Sequence, residues 1–174
     1  WTYRPDLKSE ADLWRNLRDK IENRNKSELD GHDLTDSEFE RIKSEILAST
    51  KTPFDAAKWL RGEKGKCSIV LERDNGLGRI ELVVYSNLEK NGGFSSYEIV
   101  NQIAKGNSKL EERERRFDVT LLISGLPIIQ IELKTAIAKD GVKQAYYQIE
   151  KYVDEGTFSN TIFQTLQLFV MSNE

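Results

Sequence analysis

The chain has 174 residues, 38% of them hydrophobic, which suits one domain with a real core rather than two. Charged residues make up 32% with both signs mixed, the formal net charge is −3 and the isoelectric point is near 5.4. This balance argues against a dedicated nucleic-acid binder, which is usually basic, but not against an enzyme that holds metal through carboxylates; no apolar run approaches the roughly 20 residues of a membrane span.

The chain opens Trp1-Thr2-Tyr3-Arg4-Pro5, which has neither an initiator Met nor the charged-then-apolar pattern of a secretory leader, and it reads as a piece of a longer protein. Ser9 with Asp12 three residues on forms a capping-box pattern, and Leu13, Leu17 and Ile21 recur behind it at helical spacing. A break is expected at residues 23–33. It holds the single histidine, His32, which reads as a solvated loop residue and leaves a Ser-His-Asp or Cys-His machine without a convincing base. Thr35 or Asp36 caps a second helix with Phe39, Ile42 and Ile46 on its apolar face, and Pro53–Arg61 is a third helix ended by Gly62. Residues 1–62 are thus mostly helical.

The pattern then turns to strands. One cysteine, Cys67, excludes an internal disulfide and fits a reducing, cytoplasmic setting; one Cys and one His do not supply a usual zinc ligand set. Ser68–Leu71 and Ile80–Tyr85 are β-rich runs around the turn signal Asp74-Asn75-Gly76-Leu77-Gly78, and so predict a hairpin. Asn91-Gly92-Gly93 is a further turn, and Ser96–Ile103 reads as strand or helix. Lys105–Arg116 reads as a solvated loop or helix end. Phe117–Ile123 and Ile128–Leu133 are strands with Ser124-Gly125-Leu126-Pro127 turning between them. Gly141–Val153 is a helix, and Leu166–Val170 a last strand. There is no GxxxxGK[ST], hence no visible site for ATP phosphates.

Within this pattern one constellation carries chemistry. Asp118 lies inside an apolar strand, and alternation puts Gln130, Glu132 and Lys134 on one face of the next. Burying such groups is costly unless something compensates. Two carboxylates supply the hard oxygen ligands that Mg²⁺ prefers. Cutting a phosphodiester needs a water made nucleophilic and a leaving oxygen stabilised, which a held divalent cation provides. Lys134 would orient or deprotonate the water, or offset charge on the phosphate. The same Gln-Glu-Lys alternation also suits the polar face of an edge strand. Geometry separates the two readings. A hairpin with an even loop and no bulge puts Asp118 on the face of Leu133, so the metal reading requires an odd loop, for example Ser124–Leu126, or a β-bulge.

The run Arg116-Phe117-Asp118-Val119-Thr120-Leu121-Leu122-Ile123-Ser124-Gly125-Leu126-Pro127-Ile128-Ile129-Gln130-Ile131-Glu132-Leu133-Lys134 resembles the nuclease core of the restriction subunit of type I restriction–modification enzymes, of the PD-(D/E)xK superfamily. Ser124 stands where that family usually has Asn. Gln148 through Tyr152 resembles the family's QxxxY motif, Glu98-Ile99-Val100-Asn101-Gln102 its "VxNQ" stretch, and Arg4 with Ser9–Leu13 its N-terminal opening, although Trp14 replaces a usual second Glu. The resemblance implies an α/β fold: a nuclease-like central mixed sheet of about four to six strands flanked by helices. It implies one nuclease domain over residues 1–174, with its sheet core in 67–174 and the motor domains absent. It implies Mg²⁺-dependent cleavage of duplex DNA by Asp118, Glu132 and Lys134, with Asp118, Glu132 and Glu10 as metal ligands and Gln148 and Tyr152 supporting DNA. ATP would serve the full-length subunit and not this chain, and the partners would be methylation and specificity subunits. Gln144 reads as a solvated glutamine or a further helper, Lys139 and Lys143 as candidate phosphate contacts, and Tyr146 and Tyr147 as packing against the sheet. The rival readings are a non-catalytic docking module and a stand-alone repair or resolution nuclease.

Overall fold

The computed structural model describes residues 1–86, 95–104, 116–134, 140–154, 156 and 158–173. The expected turn at Asn91-Gly92-Gly93 and most of the charged run before Arg116 lie outside them.

The helical N-terminal part forms as its caps dictate. Helix α1 spans Glu10–Arg24; the Ser9 side chain accepts from the Asp12 N–H and Asp12 reaches back to the Ser9 N–H. A single turn, α2 (Lys26–Leu29), lies in the expected break. Thr35 caps α3 (Asp36–Ser49) with a second capping box through Glu38. Helix α4, Pro53–Arg61, starts on a proline, which needs no N–H donor there, and ends at Gly62. Gly62 has φ +59°, and a Cβ on it would lie 1.9 Å from the Lys66 carbonyl oxygen, so no other residue fits.

Two sheets follow. Strands β2 (Lys66–Glu72) and β3 (Arg79–Ser86) form the expected hairpin, but as a separate two-stranded sheet. Its inner face buries Cys67, Ile69, Leu71, Leu82 and Val84 beneath the helices. The Asn25 side chain completes its edge, donating to the Val83 carbonyl at 2.9 Å and accepting from the Val83 N–H at 2.8 Å. The main sheet has the order β1-β4-β5-β6-β7. Its centre is an antiparallel meander of β4 (Tyr97–Ala104), β5 (Arg116–Ile123) and β6 (Leu126–Lys134). The short β1 (Thr2–Tyr3) and β7 (Leu168–Asn173) flank it in parallel. Helix α5 (Gly141–Asp154) makes the crossover to β7. The protein is therefore a mixed α/β fold with a five-stranded central sheet flanked by helices.

Sequence patterns missed β1, which is too short to show a period, and the 3-10 turn Ile162–Thr165 before β7. Residues 96–103, open between strand and helix in the sequence, fall in strand β4, Tyr97–Ala104, apart from residue 96. The expectation for Tyr146 and Tyr147 needs correcting. They are exposed and meet edge to face at 5.8 Å, because Ala145 and Ile149 occupy the inner face of α5.

Two buried polar knots tie the layers. Glu98 on β4, 2% exposed, accepts from Asn16 at 3.0 Å, lies 3.1 Å from Lys20 Nζ, and pairs with Arg4. Glu38 on α3, 0% exposed, pairs with Arg73 at 2.7 Å and accepts from the N–H groups of Thr35 and Asp74.

Candidate active site

The β5–β6 hairpin decides which side chains meet. Its loop is the two-residue Ser124-Gly125, since Ile123 pairs with Leu126. Both loop residues have positive φ, 51° and 83°, as the twist-compatible two-residue turn requires. The loop is packed as well: a Cβ on Gly125 would lie 3.0 Å from Leu17 Cα of α1. The odd-loop route to a shared face is thus not taken. The register instead shifts between Leu121 and Leu122: Leu122 pairs with Pro127, Leu121 with Ile129, and Ile128 is left as a bulge. The Ile128 carbonyl accepts from the Gln167 N–H at 2.9 Å, just ahead of β7.

Beyond the bulge Leu121, Thr120 and Val119 face Ile129, Gln130 and Ile131. One step further along that register, Asp118 falls opposite Glu132. Directly opposed antiparallel residues carry their Cβ atoms about 4.5–5.5 Å apart on one face. The side-chain bonds agree with this parity, since the Thr120 hydroxyl donates to Gln130 Oε1 at 2.7 Å and Gln130 Nε2 donates to Glu132 Oε1 at 3.2 Å. Asp118 is half-buried; its Oδ2 accepts from the Leu133 N–H at 2.8 Å and its Oδ1 from Gln102 Nε2 at 3.4 Å. Gln102 has φ +54°, a left-handed kink within β4 beside the site. Glu132 is wholly buried, and half-buried Lys134 follows it by two residues at the end of β6.

The other expected site residues belong to helices. Glu10, in the first turn of α1, accepts from Trp14 Nε1 at 2.9 Å and from the Ile162 N–H at 3.2 Å. Among the described residues no three His, Cys, Asp or Glu side chains gather closely enough to hold an ion, so Glu10 does not join Asp118 and Glu132 in a group of three. Gln148 and Tyr152 both lie in α5, one turn apart, with side chains outside the described part. Gln144 is exposed, in keeping with a solvated glutamine; Lys143 is also exposed and sits over the Tyr147 ring at 5.9 Å. Lys139 lies outside the described residues. Cys67 is a core residue, and its burial pushes the thiol up to about 12.

The donor set fits a hard divalent cation. By register the two carboxylates fall at opposed positions of neighbouring strands, one of them wholly buried, and carboxylate oxygens are the hard donors such an ion takes. Sequence reading missed Thr120, whose bond to Gln130 is a tertiary contact that a strand threonine does not announce.

A five-stranded central mixed sheet flanked by helices is consistent with a nuclease-like α/β fold. Comparison with known proteins narrows the class: the family described as the N terminus of the type I restriction enzyme R protein matches residues 1–174, and the chain belongs to it. It is 29% identical over 172 residues to the SauMSSORF170P endonuclease subunit of a type I restriction enzyme from Staphylococcus aureus strain MSSA476, covering 98% of this chain and 16% of that protein. A Staphylococcus saprophyticus endonuclease subunit, SsaAORF53P, is 30% identical over 169 residues, with 96% and 16% covered. The EcoprrI endonuclease subunit of Escherichia coli is 27% identical over 195 residues, covering 99% of this chain and 58% of that protein. The chain thus spans only part of the length of these relatives. No helix among its described residues is long and apolar enough to cross a membrane.

Proposed function

We propose that this chain is the Mg²⁺-dependent endonuclease domain of a type I restriction enzyme, a single nuclease unit over residues 1–174 that breaks phosphodiester bonds of duplex DNA in the cytoplasm. The observation that carries this reading is the bulge at Ile128, which lets an even hairpin loop coexist with Asp118 opposite Glu132. Family membership and the names of the relatives support it further. In such enzymes the partners are methylation and specificity subunits, and ATP serves the motor part of the longer subunit.

When bound, Mg²⁺ supplies Lewis-acid polarisation at the phosphate and a water of lowered pKa. The chain's own groups do the rest. Asp118 and Glu132 would hold the ion. Glu10 is a third candidate ligand, whose carboxylate would first have to leave Trp14 and the Ile162 N–H. The Lys134 ammonium, on the same face, orients the attacking water and offsets the charge that grows on the phosphate as the P–O bond to the departing strand end breaks. Gln148 and Tyr152, at i and i+4 of α5, position the DNA backbone or the carboxylates.

Calorimetric titration of Mn²⁺ or Mg²⁺ into the wild type, Asp118→Ala and Glu132→Ala tests the reading. Binding by the wild type that falls below detection in both variants is expected. Equal binding in all three, or none, would make both residues ordinary strand acids and favour a docking role.

A further inference from the structure

Gln130 sits at the middle of β6, between Ile129 and Ile131, with none of its surface exposed. An amide so buried destabilises a sheet unless its polar atoms are bonded. Among the described residues three groups bond it. Thr120, equally buried and directly across the ladder, donates its hydroxyl to Oε1 at 2.7 Å. Nε2 donates to the Ile131 carbonyl at 3.1 Å and to Glu132 Oε1 at 3.2 Å. Only one of the two amide orientations serves these neighbours. Turned over, Oε1 would confront the Ile131 carbonyl and the Glu132 carboxylate, acceptor against acceptor.

We infer that Gln130 is a positioning residue: keyed by the Thr120 hydroxyl, its amide sets the orientation of the Glu132 carboxylate for a divalent cation shared with Asp118. The inference rests on the metal-site reading above. Leucine or isoleucine would fill this place in the core at lower cost. What the amide adds is a donor fixed in direction, which orients a carboxylate without neutralising it. Partners of this kind, one layer behind the ligand, change metal affinity by about 10- to 100-fold when removed.

The test is Mn²⁺ affinity by calorimetry on this chain, without DNA, for the wild type, Glu132→Ala, Gln130→Leu, Thr120→Val and Thr120→Ser, with the melting temperature of each in EDTA. Gln130→Leu and Thr120→Val are expected to weaken Mn²⁺ binding by about 10- to 100-fold, and Thr120→Ser, which keeps the hydroxyl, to restore it. A purely structural role would lower the melting temperature and leave the affinity of the folded chain unchanged. If Gln130→Leu does not fold, the Thr120 pair carries the test alone. Should Glu132→Ala lose the ion while folded Gln130→Leu and Thr120→Val bind like the wild type, the positioning role falls and the metal site stands. Should the wild type bind no Mn²⁺, or Glu132→Ala bind it equally, the metal reading falls and this inference with it.

Discussion

Glu38 shows how strongly a single residue's surroundings decide its state. Burial alone would raise its carboxyl; the Arg73 guanidinium and the N–H groups of Thr35 and Asp74 outweigh that and hold it at about 2, against an ordinary 4.5. A depressed carboxyl contributes stability that is complete above its unfolded value and is lost as pH falls toward the folded one. Unfolding titrations between pH 6 and 2 are therefore expected to show stability falling below about pH 4.5, with a shallower fall in Glu38→Gln. Parallel curves for the two proteins would remove Glu38 from the acid response. Removing the carboxylate outright, as in Glu38→Ala, leaves Arg73 buried without a counter-charge and is expected to cost about 3–5 kcal/mol.

At the scale of elements, the hairpin carries the argument. The bulge means that β6 holds one residue more than the ladder uses. Deleting Ile128 should therefore leave Leu122–Pro127 and Leu121–Ile129 as consecutive pairs, with Asp118 still opposite Glu132. The expected result is a chain with a lowered melting temperature, because the bond from Gln167 is lost, that still binds Mn²⁺. A folded deletion variant that no longer bound the ion would show that register is not what unites the carboxylates. This is also where the sequence was legible only in part. The caps at Ser9 and Thr35 and the proline start at Pro53 are local chemistry, and the helices begin at those residues. Strand alternation likewise placed Glu132 and Lys134 on one face. Whether Asp118 shared it depended on one unpaired residue, and Ile128 looks like any other strand isoleucine; the choice of bulge over odd loop is made by the packing of Ser124-Gly125 against α1. The pairing of Glu10 with Trp14 and Ile162, and the keying of Gln130 by Thr120, are tertiary contacts without a sequence period.

Across the whole molecule, the sheet divides by how far apart its strands lie in the chain. Strands β4, β5 and β6 pair antiparallel in chain order. Strand β1 comes from the N-terminus, with all four helices of the N-terminal part between it and β4, and β7 joins only after the α5 crossover. Closing long loops costs entropy before any contact repays it, so distant parallel strands add late and detach first. Native-state amide exchange should therefore find the β1 and β7 amides opening well before those of the meander, and uniform protection across all five strands would contradict this. The carboxylate pair lies between β5 and β6, at the sheet's middle. Partial fraying from either flank thus passes by Asp118 and Glu132, and only loss of the entire fold should separate them.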